Sequence, residues 1–216
     1  MSYLLDNFGK VWDLTTTHLY LALVPLLIGL VLAVPIGAAI QNVAWLRRTT
    51  LAVASVLFTI PSLALFVTIP AVFGLKVLDP LNVVIALSVY ATALLVRAVP
   101  EALDSVSPAV IDAADAMGFT PLRRTLTVDL PLAIPVLVAS IRVVTVTNIS
   151  LVSIGSLIGI GGLGQLFTQG YSRNYPDEIV AGIIAIVALA LAFDAALYLL
   201  GRWSTPWTRT APAGRS

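Results

Sequence analysis

Apolar residues in this chain come in long stretches, without the alternation of a half-buried strand or the one-sided periodicity of a soluble surface helix. Such runs occupy roughly residues 17–40, 50–74, 81–99, 133–158 and 179–201, the last two each interrupted by a single charge. An α-helix needs about 17–25 apolar residues to cross the hydrocarbon core of a bilayer. Lipid offers no hydrogen-bond partner to the backbone, so each run is expected to be a helix. The pattern predicts an all-α membrane protein with about five spans, a single domain over 1–216. A polar stretch at about 100–131 separates the third and fourth spans, and an Arg-, Pro- and Thr-rich tail follows at about 204–216. The first run is too long for the core of a signal peptide and no small-residue cleavage site follows it, so it is read as a retained span.

The polar stretch carries punctuation of its own. Ser107-Pro108 is a helix start: Ser can cap the first amides, and Pro suits the first helical position. Gly118 is a natural left-handed terminator, after a helix running to about Met117. Thr120-Pro121 repeats the start signal for a second short helix through about Val128, which Leu130-Pro131 is expected to end at the membrane. On the first helix Val110, Ala113, Ala114 and Met117 share one side, and Asp112 and Asp115 share another edge. The small Ala pair lets another backbone come close, and Asp112 can accept hydrogen bonds or pair with a cation. Such a helix suits a partner's groove. The alternative is an interfacial amphipathic helix that anchors the bundle.

The spacing Asp112-Ala113-Ala114, Gly118, Val128, Leu130-Pro131 resembles the cytoplasmic "EAA" loop of permease subunits of binding-protein-dependent ABC importers, with Asp112 where the family has Glu and Val128 where it has Ile. Three more stretches are similar to the osmoprotectant branch, which imports glycine betaine, carnitine, choline or proline-type solutes. They are Thr59–Leu65, the run from Leu130-Pro131 through Ser140-Ile141-Arg142 to Thr147-Asn148-Ile149, and Leu157–Gly164. Methionine-type permeases carry a related Gly-rich segment and remain the alternative within the family. An ATP-independent carrier or channel is the alternative outside it. The resemblance implies a type I ABC importer permease fold. It also implies that the loop, through Asp112, Ala113, Ala114, Asp115, Gly118, Leu130 and Pro131, couples the permease to an ATPase. Implied partners are an ATP-binding subunit dimer, a second permease (copy or paralogue) and a separate extracytoplasmic solute-binding protein. No cofactor is expected in this chain, since ATP and Mg belong to the ATPase.

Composition agrees with this picture. Hydrophobic residues make up 59% and charged residues 11%, at a net charge of +1, with no dense basic stripe for nucleic acid. The absence of cysteine removes disulfide and thiol chemistry. Basic residues give the orientation. Five alternating spans place Arg47, Arg48, Arg97, Arg123, Arg124, Arg202, Arg209 and Arg215 on one side, and Lys10, Lys76 and Arg173 on the other. The positive-inside rule then expects an inner-membrane protein with its N-terminus outside and its C-terminus and 100–131 loop in the cytoplasm.

Other residues are weighed individually. Gly159-x-Gly161-x-x-Gly164 has the letters of a dinucleotide-binding turn but no strand before it, so a flexible outer turn allowing close helix contact is expected, with an outer-gate role as the alternative. No G-x-x-x-x-G-K-[ST] occurs, so ATP is not bound here by a P-loop. His18, the single histidine, is expected at the membrane interface. Arg142 and Asp194 are ionisable groups inside spans, at similar depth from the cytoplasmic side, and a pair between them is weighed against separate snorkelling. Arg142, Thr145, Asn148, Ser153 and Ser156 form a polar stripe, expected to face the translocation path or the partner permease. Pro61 and Ser62 break the second span, either beside the path or as a packing kink.

Overall fold

A computed structural model describes residues 2–209. Residues 1 and 210–216, which include Arg215 and most of the expected tail, lie outside the described residues. The elements are helices α1 (Ser2–Asp6), α2 (Phe8–Ile40), α3 (Ala44–Thr59), α4 (Ser62–Phe73), α5 (Leu81–Asp104), α6 (Pro108–Ala116), α7 (Pro121–Arg124), α8 (Leu130–Gly155), α9 (Gln165–Ser172) and α10 (Pro176–Ser204). A π turn, Thr125–Asp129, joins α7 to α8. Short 3₁₀ turns lie at Ser156–Ile158, Gly162–Gly164 and Pro206–Arg209, the last forming the start of the expected tail. No strand occurs among the described residues.

The most buried helix, α5, is the axis of the bundle, with α2, α3, α4 and α8 packed around it. The closest packing is between α2 and α5. Gly29, Ala33 and Gly37 recur every fourth residue on α2, and a Cβ added at Gly29 would lie 2.7 Å from Ala91 Cβ. Lipid gives two apolar helices no hydrophobic reason to associate, so small residues that let backbones approach supply the dispersion contact instead. Hydroxyls on α5 turn inward along their own helix, Ser88 to the Val84 carbonyl and Thr92 to the Ser88 carbonyl, so both are paired without a partner helix.

The expected second span is two helices meeting at 98°. Pro61 brings no amide hydrogen and pushes Ile60 out of the helical region, so Ile60 and Pro61 are both extended. The Tyr90 hydroxyl donates to the freed Ile60 carbonyl, which makes the break affordable inside the bilayer. With 16 and 12 residues, α3 and α4 are each about 24 and 18 Å long and only together cover a bilayer of about 30 Å. Four long helices plus this broken pair make up to five crossings.

Three further expectations change. The first span begins at Phe8, not near residue 17, giving a 33-residue helix that is about 50 Å long and extends well beyond the hydrocarbon. Leu130-Pro131 does not end a helix: the chain runs from α7 through the π turn into α8. The wide π register accommodates Pro131, whose ring would clash with a carbonyl in a tighter turn. The segment after the fourth span contains a helix, α9, and is not all loop.

Ion pairs mark the two ends of the bundle. At one end Lys10 Nζ donates to Glu178 Oε1 and Gln169 Oε1, both at 2.7 Å, and the Tyr3 hydroxyl donates to the same Glu178 oxygen at 2.6 Å. At the other end Gln41 and Arg47 both donate to Asp104. The α6–α7 loop leaves the bundle beside that second end.

Candidate functional site

The loop is a solvent-facing arm of two short helices. Ser107 occupies the capping position of α6 but its side chain makes no capping bond, and Pro108 begins the helix. Gly118 stops the helix with φ +79°, a left-handed backbone that costs glycine nothing. The amides of Gly118 and Phe119 fold back onto Asp115 and Ala114 carbonyls. Of the predicted contact residues, Ala114 is buried, holding α6 onto the protein, while Asp112, Ala113, Asp115 and Gly118 are exposed. Leu130 and Pro131 are half-buried at the foot of α8. Asp112 makes no polar contact among the described residues and is free to meet a cation elsewhere. On the same arm Met117 is 70% and Leu122 72% exposed, so the arm presents apolar side chains to solvent as well as a carboxylate. That combination fits a groove in another protein.

The arm is braced by Arg124, a residue the sequence reading did not single out. It bonds Asp115 on α6 and Asp129 at the foot of α8. The bond from Asp115 holds its guanidinium pKa above the ordinary value. Arg123 lies over the Phe119 ring, 4.8 Å from its centroid, and closes the turn between the helices. A signal for Arg124 existed: it follows Asp115 by nine residues and precedes Asp129 by five, but only the fold of the turn makes those spacings meet.

Within the bundle, Arg142 and Asp194 form a two-pronged pair. Arg142 Nε donates to Asp194 Oδ1 at 2.8 Å and Nη2 to Oδ2 at 2.6 Å. The pair lies within one subunit, between α8 and α10, and Arg142 also lies over the Tyr198 ring. Beside it lies an opening of about 340 Å³, lined by Pro135, Val138, Arg142, Tyr198 and Arg202 among others, between α8 and α10. The polar stripe of α8 divides. Arg142 is partly exposed, but Thr145 and Asn148 are buried, and Asn148 Nδ2 donates to the Ala22 carbonyl of α2. Thr145 returns its hydroxyl to Ile141. Ser153 is half-buried, and Ser156, buried, bonds the Ser153 carbonyl. Pro61 is exposed and Ser62 half-buried at the 98° break.

Two expectations at the other end are corrected. His18 is not interfacial: it has no exposed surface. The Leu163 amide donates to His18 Nδ1 at 3.2 Å, so that nitrogen carries no proton, and Nε2–H donates to the Ile149 carbonyl at 2.9 Å. One neutral imidazole therefore ties α2, α8 and the Gly-rich segment together. Nor is that segment a loose turn. Residues 160–164 are all buried, and a Cβ at Gly162 would sit 2.7 Å from His18 Cα. The glycines let backbones touch, so no room is left for a pyrophosphate. The sequence reading also missed Glu178, a fully buried carboxylate held by Lys10 and Tyr3, because its position at the start of α10 looked like an exposed helix end. Among the described residues no cluster of three or more His, Cys, Asp or Glu is placed to hold a metal ion.

Comparison with known proteins agrees with this geometry. Residues 25–210 match the family described as binding-protein-dependent transport system inner membrane component. The chain is 35% identical to the osmoprotectant import permease protein OsmW of Salmonella typhimurium, over 94% of this chain and 96% of that protein. It is 28% identical to the glycine betaine/carnitine/choline transport system permease protein OpuCB of Bacillus subtilis, over 95% and 94%. A chain of the MetNI methionine ABC transporter in an inward-facing conformation has the same fold, with a TM-score of 0.81 over 93% of this chain and 98% of that chain at 24% identity.

Proposed function

Since this chain belongs to the family of binding-protein-dependent transport system inner membrane components, we propose that it is the permease subunit of an ATP-driven importer of quaternary ammonium osmoprotectants such as glycine betaine, choline or carnitine. The observation that carries this reading is the braced arm α6–Gly118–α7, exposed and apolar-tipped beside the Arg47–Asp104 end of the bundle. The solute class rests on what the permeases of Salmonella and Bacillus named above are called.

In this reading the chain supplies path and coupling but no chemistry, and ATP and Mg sit in a partner ATPase dimer. Each α6 lies in an ATPase groove, with Ala113 and Met117 against its wall and Asp112 meeting a cation. A second permease encloses the path from the other side, and an extracytoplasmic binding protein delivers the solute. The N-terminus and the Lys10–Glu178 end face outward, and α6 faces the cytoplasm, a reading supported by the distribution of Arg. The path passes the break at Pro61-Ser62 and the Arg142–Asp194 pair, with Ser153 and Ser156 near its outer end. Asn148 serves by fixing α8 to α2, and Thr145 by packing inward with its hydroxyl bonded along its own helix. Closure of the ATPases shifts the balance between inward- and outward-open states, which is alternating access.

The test is uptake of labelled glycine betaine, choline, carnitine, proline and methionine at low and high osmolarity, in cells lacking the chain and in cells carrying it. A quaternary ammonium whose uptake requires the chain, and is abolished by Gly118→Trp at normal membrane levels, supports solute and coupling together. Methionine uptake alone, or no chain-dependent uptake with the ATPase and binding protein present, overturns the solute assignment.

A further inference from the structure

The joint between the exposed arm and the bundle is built without regular α-helical register. The π turn Thr125–Asp129 has a wide five-residue register, and Pro131 gives no amide hydrogen to the first turn of α8. One side chain spans this joint. Arg124 Nη1 donates to both Asp115 oxygens, at 2.8 and 2.7 Å, and its Nε donates to Asp129 Oδ2 at 3.3 Å. Asp115 belongs to α6 and Asp129 is the last residue of the π turn. Among the described residues no other polar side-chain contact joins α6 to the π turn or to α8.

Burial explains why the bridge stays closed. Asp129 is almost wholly buried, and its Oδ1 has no hydrogen-bond partner. Among the described residues Arg124 is therefore the one ion-pair partner of a buried carboxylate, whose charge would be expensive alone. Arg124 is itself 16% exposed, gripped from the α6 side by Asp115 and from the α8 side by Asp129. Its planar fork can hold two carboxylates in fixed directions, as a lysine could not.

Resting on the reading of α6 as the ATPase-docking helix, we propose that Arg124 is a positioning residue, a two-ended strut that makes α6 and α8 move as one body. Movement of a docked ATPase then reaches α8 and its Arg142–Asp194 pair instead of being absorbed by the π turn. Arg124 touches neither solute nor ATP in this role, and its loss uncouples hydrolysis from transport without preventing hydrolysis.

The experiment uses the assembled transporter with its binding protein in proteoliposomes, carrying Arg124→Gln, Asp129→Asn or both. It records ATPase subunit bound per permease, ATP hydrolysed, and labelled glycine betaine taken up per ATP. Each single variant keeps its ATPase subunit and hydrolyses ATP, while uptake per ATP falls by about fivefold or more. The double variant falls no further than the worse single, because two breaks in one strut act in series and their losses do not multiply. Arg124→Lys, which keeps the charge but not the fork, falls between. An unchanged ratio in the singles, or multiplied losses in the double, overturns the strut. Loss of the bound ATPase in Arg124→Gln also overturns it, since Arg124 would then shape the docking surface. Failure of the docking reading itself shows separately: Ala113→Trp would keep its ATPase bound and coupled.

Discussion

Gly162→Ala tests whether the Gly-rich segment is packed structure or a loose turn. Gly162 has φ +40°, and a Cβ there would meet His18 Cβ at 2.6 Å, Cα at 2.7 Å and N at 2.8 Å. Two costs add. A non-glycine residue with left-handed backbone costs about 1–2 kcal/mol. Overlap with a helical backbone, which cannot swing aside like a side-chain tip, costs about 1–3 kcal/mol more. The sum is about 2–5 kcal/mol, and for a chain of this size each kcal/mol lowers the melting temperature by roughly 2–4 °C. The expected fall is therefore roughly 4–20 °C.

Gly118→Ala and Gly159→Ala separate the two costs. Gly118 has φ +79° with nothing within 4 Å of its Cβ position, and Gly159 has φ +84° with only Leu78 Cδ2 nearby, at 3.0 Å. Both carry the backbone strain without the backbone collision, so each should lose about 1–2 kcal/mol. The assay is thermal unfolding of the three purified variants in one detergent, followed by the loss of monodisperse protein. Gly162→Ala melting no lower than Gly118→Ala would refute the close packing against His18, and with it the account of 160–164 as a buried wedge.

His18→Ala strips the Leu163 amide of its acceptor, at a cost of about 1–3 kcal/mol, and hydrogen exchange should speed up across 159–164 while α5 stays protected. Ala113→Trp, on the exposed side of α6, should change stability by about 0.5 kcal/mol or less yet abolish co-purification of the ATPase. Ala114→Trp, on the buried side, should lower the melting temperature, because overpacking costs about 1–3 kcal/mol. Removing one partner of the Arg142–Asp194 pair leaves the other charge uncompensated between helices. Uptake should therefore suffer more in Arg142→Ala or Asp194→Ala than in Arg142→Met/Asp194→Leu, and a double variant worse than both singles would show that the two charges act separately.

Several elements were legible because their causes are local. Gly118 as the end of α6 needs only the backbone freedom of glycine. The break at Pro61 needs only a missing amide hydrogen and a restricted neighbour. The apolar runs identify helices because a long unbroken apolar segment satisfies its own backbone in lipid only as a helix. Arg142 and Asp194 could be placed at one depth by counting residues, so their pairing could be considered in advance. Less was legible where apolar composition hides direction. Along α8 the stripe from Arg142 to Ser156 reads as one polar face, but Asn148 turns into α2 and Thr145 is buried, since helix rotation is decided by what packs opposite. Capping letters misled at Leu130-Pro131, where a π turn absorbs the proline and the helix continues.

By itself the sequence determined the class of the molecule: membrane helices in number and approximate place, a punctuated polar arm between the third and fourth, and the side on which arginine accumulates. These follow from transfer free energy and backbone satisfaction, which act along the chain residue by residue. The tertiary structure alone decided which distant groups meet. It brought Tyr3 and Lys10 to Glu178, set His18 between the Ile149 carbonyl and the Leu163 amide, and closed Arg124 between Asp115 and Asp129. Contacts of that kind depend on the rotation and register of packed helices. An apolar helix presents similar hydrophobicity on every face, so its sequence leaves rotation open until close-packed small residues such as Gly29, Gly37 and Gly162 fix which backbones touch.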